Sequence, residues 1–110
     1  MDVSFSNKKL RKLANNDRLR LKKLGAKRAK LLNKRLSQLR DSDTLEDVRY
    51  QPGHFHELTH DRKGQWACDL DQPYRLIFIP HEDPIPKDQN GQYLWVEITG
   101  VEIIEITDYH

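Results

Sequence analysis

Between Ala26 and Arg40 apolar residues recur every three or four positions, at Ala29, Leu32, Leu36 and Leu39. Lys27, Arg28, Lys30, Lys34 and Arg35 fall between them. This spacing predicts an amphipathic helix with a buried Leu stripe and a basic face. Upstream, Asn7 or Ser6 is suited to cap a helix over KKLRKLAN. Asn15-Asn16-Asp17 interrupts that run, and Asp17 is suited to cap a second start. Gly25 is either a break or an internal glycine costing about 1 kcal/mol relative to Ala. A short strand is expected at DVSF, residues 2–5, and a helical turn at 44–48 led by Ser42 or Asp43.

After Gln51-Pro52-Gly53 the period becomes that of strands. FHELTH and WACDL read as strands joined by DRKGQ, whose turn Gly64 supplies. Asp71-Gln72-Pro73 makes the next turn, and YRLIFI is apolar enough to be a strand buried on both faces. Residues 81–92 form a polar loop with Pro84, Pro86 and the turn pair Asn90-Gly91. The run YLWVEITGVEIIEITDY reads as β throughout, broken or bulged at Gly100. Helices that precede strands predict an α+β fold, with the N-terminal helices packed on one face of a small twisted antiparallel sheet. One domain over residues 1–110 is expected, helical and basic over about 6–48 and sheet over about 54–110.

The charge is split along the chain. Residues 1–40 hold 14 Lys and Arg against Asp2 and Asp17, a balance of +12. Residues 41–110 hold 5 Lys and Arg against 15 Asp and Glu, a balance of −10. Such asymmetry points to a phosphate-bearing partner on the first part, against the plainer reading of a solvated Lys-rich helix face. Cys68 is the single cysteine, so no internal disulfide is possible and a reducing compartment is expected. The opening MDVSFSNKKL has no apolar core of a signal peptide, and no apolar run reaches about 18 residues. A cytoplasmic location with no membrane contact is therefore expected. His54, His56, His60 and Cys68 lack paired zinc-ligand spacing, and no Gly-rich phosphate loop is present. Neither metal nor cofactor is expected.

Taken as one motif, HELTHDRKGQWACDLDQPYRLIFI with the terminal EIIEITDYH resembles the HigB branch of the RelE/ParE toxin superfamily. The similarity runs over nearly the whole chain, including RLSQL in the long helix and the DPIP loop. Its most specific pieces are DRKGQW, PYRLIF and the closing DYH, in the family's order. The resemblance implies a microbial-ribonuclease-like fold and a type II toxin that cleaves mRNA in the ribosomal A site. It implies as partners the ribosome, mRNA and a cognate HigA-type helix-turn-helix antitoxin, with operator DNA reached only through that antitoxin. An alternative on the same fold is non-catalytic: a gyrase-targeting toxin of the ParE branch, or an inactive toxin that acts as co-repressor with its antitoxin.

RNA cleavage by 2′-hydroxyl attack needs a base, an acid and cations at the phosphorane. Arg75 is a charge inside an apolar strand, so it either stabilises phosphate or pairs with Asp69, Asp71 or Asp108. The resemblance places Lys63, Arg75, Asp108, Tyr109 and His110 in catalysis. His110 would serve proton transfer, Asp108 would orient it, and Tyr109 would stack on a base or donate its hydroxyl. A frayed tail is the alternative for these last residues. Arg62, His56 and His60 would line the RNA, and Lys27, Lys30 and Lys34 would grip ribosomal RNA. His56 has an equally open structural reading, and Arg62 and Lys63 could simply solubilise a turn. Two departures from the family stand out: Asp69 where a basic residue is frequent, and His60 where Gly is usual.

Overall fold

The computed structural model describes residues 1–108. Its elements in chain order are β1 (Asp2–Phe5), α1 (Lys8–Asn15), α2 (Asp17–Asp41), α3 (Leu45–Val48), β2 (His56–Glu57), β3 (Trp66–Asp69), β4 (Tyr74–Pro80) and β5 (Gly100–Asp108). Short 3₁₀ turns cover His60–Arg62 and Trp95–Glu97. The sheet runs β1-β5-β4-β3-β2. Strands β2 to β5 form the expected antiparallel meander. β1 joins β5 in parallel, so the sheet is mixed within an α+β fold.

The helix layer follows from local chemistry. Asn7 caps α1 by accepting the Leu10 N–H at 2.9 Å. Asn16, not Asp17, caps α2 by accepting the Leu19 N–H at 2.9 Å. Asp17 is the first helical residue and pairs with Arg20. Gly25 breaks α2 internally at φ 80°, a left-handed backbone that glycine adopts without steric cost. Thr44, rather than Ser42 or Asp43, leads α3, and its N–H donates to the Asp47 carboxylate at 3.2 Å. Leu32, Leu36 and Leu39 are buried against Leu45, Val48, Trp66, Leu76 and Phe78, which places the core between helices and sheet.

Strand register decides which side chains leave that core. Trp66, Cys68, Leu76 and Phe78 point to the helices, with Trp66 opposite Phe78 and Cys68 opposite Leu76. The intervening Ala67, Asp69, Arg75 and Ile77 therefore line the other, open face. The β5 bulge lies at Ile104 rather than Gly100: Glu105 pairs with Ile77, but Ile103 pairs with Phe78. The extra residue lets Ile103 and Ile106, three apart, both reach the core. It also sends Glu105 to the open face. Residues 93–99 are not strand. Trp95 turns inward on its 3₁₀ turn and meets Trp66 edge to face, 5.5 Å between centroids at 88°.

Two arginines of the expected basic helix face point inward instead. Arg35 is buried and donates from Nε to the Asp69 carbonyl at 2.7 Å. Arg28 lies 3.4 Å from the Tyr74 ring centroid and forks onto Asp71 at 2.9 and 3.1 Å. The Arg28 hydrogen bonds hold the Asp71 carboxyl below the ordinary value, against the opposing effect of its partial burial. A lowered carboxyl stabilises the fold at pH above its unfolded value, about 3.9 for Asp, and that contribution disappears as pH falls through the folded value. Asp71→Asn is thus expected to cost about 1 kcal/mol at neutral pH and to flatten the acid limb of stability below pH ~4. Urea unfolding midpoints measured from neutral pH into the acid check this. An unchanged acid limb would remove the pair from the stability of the helix–sheet junction.

Candidate functional site

The open face carries two rows across the strands. One row runs His56, Ala67, Ile77 and Glu105; the next runs Asp69, Arg75 and Thr107. Strands sit about 4.8 Å apart, so neighbouring side chains within a row are within reach of one ligand. Ala67 and Ile77 are fully buried although they face away from the helices. Arg62 extends from the loop after β2 to Glu105 on β5, 2.7 Å away, and to Gln65 at 2.9 Å. Its side chain therefore spans the Ala67–Ile77 floor.

Arg75 stands beside Asp69, Nε to Oδ1 at 3.6 Å. That carboxylate also faces His54, Oδ2 to Nδ1 at 3.5 Å. The His54 ring stacks on His56 with centroids 4.0 Å apart and planes 16° apart. His56 Nδ1 lies 2.7 Å from the His54 carbonyl oxygen. The backbone behind the cluster is tied on both sides. Asp69 N–H donates to the Gly53 carbonyl at 2.8 Å, and Arg35 holds the Asp69 carbonyl.

The assembled group is thus His54, His56, Arg62, Asp69, Arg75 and Glu105. Other expected members lie elsewhere. Lys63 sits 5.7 Å from the Tyr93 ring centroid, a ring that Lys87 also faces at 5.5 Å. Its surroundings include Gly64, Ile79 and His81. Ile79 is four residues along β4 from Arg75, about 13 Å. Asp108 pairs with Tyr74, and strand alternation puts it on the helix face, opposite Arg75. His60 opens the 3₁₀ turn with φ 57°, a left-handed backbone that favours glycine. Lys27, Lys30 and Lys34 are exposed on α2, in the layer behind the sheet. Tyr109 and His110 lie outside the described residues. Among the described residues no group of three or more His, Cys, Asp or Glu is placed to hold a metal ion. Cys68 is buried beneath the helices, and burial pushes its thiol far up, which leaves it unreactive.

His54 and Glu105 carried no local sequence signal for this placement. His54 read only as part of a weak metal pattern, and Glu105 reaches the face through a bulge. The chemistry on view is two guanidinium groups, each with a carboxylate partner, beside two stacked imidazoles.

No protein-family model matches the chain, and no curated protein matches it. Solved structures share its fold. One is the YoeB-YefM complex from Staphylococcus aureus, with TM-score 0.56 and 16% identity over 100% of this chain and 97% of that one. Another is a YoeB/ParE toxin from Agrobacterium tumefaciens, with TM-score 0.53 and 11% identity over 100% of both chains. The α+β fold expected from the sequence is therefore the fold of these toxins. No helix among the described residues is long and apolar enough to cross a membrane.

Proposed function

We propose that the chain is a type II toxin, a metal-independent endoribonuclease that cuts mRNA on the ribosome and is neutralised by a cognate HigA-type antitoxin. One observation carries the reading: the open face of a sheet with the fold of these toxins presents Arg75 and the stacked His54 and His56 around Asp69, with Arg62 on the neighbouring row. Guanidinium groups hold phosphate in a planar fork, and imidazoles move protons near neutrality. The HigB-like motifs add His110 as a proton-transfer group and the ribosome as the platform. A neighbour of this fold is a toxin in a complex with a second protein, which supports an antitoxin partner here.

The ribosome answers a charge problem. Arg62 and Arg75 face Glu105 and Asp69, so the open face offers little net positive charge for free RNA. The exposed Lys27, Lys30 and Lys34 lie on the opposite layer. A partner that touches both must surround the protein, as a cavity lined with ribosomal RNA does. Reversing these three lysines to Glu is expected to weaken ribosome association and lower the slope of log K against log salt by about 2–3. Co-sedimentation across a salt series checks this. Unchanged binding would move the ribosome contact off α2.

The same carboxylates favour a second reading, a non-catalytic toxin that poisons gyrase or acts only with its antitoxin in repression. Induced expression in cells lacking the antitoxin, with mRNA 5′ ends mapped, separates the two. New cuts in translated messages that vanish in His110→Ala support the nuclease and the role of His110. Growth arrest without cuts supports the gyrase target. A soluble, folded and harmless product supports the inactive co-repressor.

A further inference from the structure

We infer that His54, positioned by Asp69, is the base that takes the 2′-hydroxyl proton in RNA cleavage; the assignment rests on the nuclease reading above. The backbone gives the first argument. His54 has φ 57°, in the left-handed region that costs a residue with a Cβ about 1–2 kcal/mol. The surroundings enforce that conformation. Gly53 accepts the Asp69 N–H at 2.8 Å, and buried Arg35 grips the Asp69 carbonyl at 2.7 Å. The strained residue and its acidic neighbour are therefore held as one unit.

The side-chain geometry gives the second argument. Asp69 stands between His54 and Arg75, 3.5 Å from one and 3.6 Å from the other. A carboxylate against Nδ1 favours the tautomer with its proton there and leaves Nε2 with its lone pair. The His54 side chain is 59% exposed, so its ring is accessible to a substrate, and His56 stacks on one face of it. Asp69 Oδ1 is buried and receives no hydrogen bond among the described residues. Acidic Asp69 thus has a use where the family often has a base.

In the step proposed, Nε2 of His54 accepts the 2′-hydroxyl proton while that oxygen attacks phosphorus. The P–O5′ bond breaks and leaves a 2′,3′-cyclic phosphate. The departing 5′-oxygen takes its proton from a second acid, a proton-transfer role proposed above for His110, which lies outside the described residues. Arg75 holds the non-bridging oxygens on the other side of Asp69.

The test is single-turnover cleavage of mRNA on purified translating ribosomes. His54→Ala and His54→Asn are expected to lower the rate about 10²–10⁴-fold, with ribosome binding unchanged. Asn tolerates the left-handed backbone, so it keeps the test valid if the Ala variant folds poorly. Added imidazole is expected to restore part of the rate to His54→Ala. Asp69→Asn is expected to slow the wild type but not the His54→Ala variant, a coupling that a purely structural Asp69 would not give. Cleavage within threefold of wild type in both His54 variants overturns the assignment alone. A wild type that cuts nothing overturns the nuclease reading, and the assignment falls with it.

Discussion

Gly53→Ala is expected to cost about 3 kcal/mol of folding stability, a large share of the 5–15 kcal/mol of a domain. Gly53 has φ 116°, where a residue with a Cβ is strained by about 1–3 kcal/mol. An added Cβ would also lie 2.6 Å from the Arg35 Cζ and 2.7 Å from its Nε. A guanidinium at the end of a long side chain normally moves aside at little cost. Arg35 has no such freedom. It is buried, donates to the Asp69 carbonyl at 2.7 Å, and donates to Gln38 Oε1 at 3.0 Å. Gln38 in turn donates to the Pro52 carbonyl at 2.8 Å. Displacing the guanidinium forfeits charge-assisted hydrogen bonds worth about 1.5–3 kcal/mol. Urea unfolding of Gly53→Ala, Arg35→Ala and the double variant checks the mechanism. In the Arg35→Ala background the added cost should shrink to backbone strain alone. Purely additive costs would show that no collision with Arg35 is involved.

That clamp marks the boundary of what the chain declares locally. Leu32, Leu36 and Leu39 announce their helix, YRLIFI its buried strand, and Asn7 its cap, because each depends on neighbours within a few residues. Arg28 and Arg35 were open to a better reading. Each sits four residues before a core leucine, Leu32 and Leu39, so helical spacing puts them on the buried side. Lys27, Lys30 and Lys34 share a different stripe and are exposed. Charge alone hid that difference. Residues 93–99 misled for another reason. They have β composition, but Trp95 finds its place on Trp66, 29 residues away, and tertiary packing outweighs strand propensity. The parallel pairing of β1 with β5 joins the two ends of the described chain, beyond any local pattern. In the site, Arg75 was legible as a charge in an apolar strand. His54 was not, because its meaning comes from Asp69, which reaches it only through the β2–β3 fold-back.

Arg75→Ala is expected to lower mRNA cleavage on the ribosome by about 10²–10³-fold, the usual cost of one well-placed donor to a developing anion. Arg75→Lys should recover only part, because an ammonium lacks the planar fork that matches a phosphate. The competing explanation is that Arg75 exists to neutralise Asp69, 3.6 Å away. Each explanation makes its own statement about the double variant. If Arg75 only offsets the Asp69 charge, removing that charge as well, in Arg75→Ala with Asp69→Asn, should bring cleavage back to the level of Asp69→Asn alone. If Arg75 holds the phosphate, the double variant stays as slow as Arg75→Ala or slower. Thermal melts separate the two further. An offsetting role makes Arg75→Ala unstable and the double variant stable, whereas a phosphate role leaves the melts nearly level, since a partly exposed pair contributes about 1 kcal/mol at most. Cleavage that returns to the Asp69→Asn level in the double variant would reduce Arg75 to a counter-charge for Asp69 and leave the phosphate to another cation of the open face.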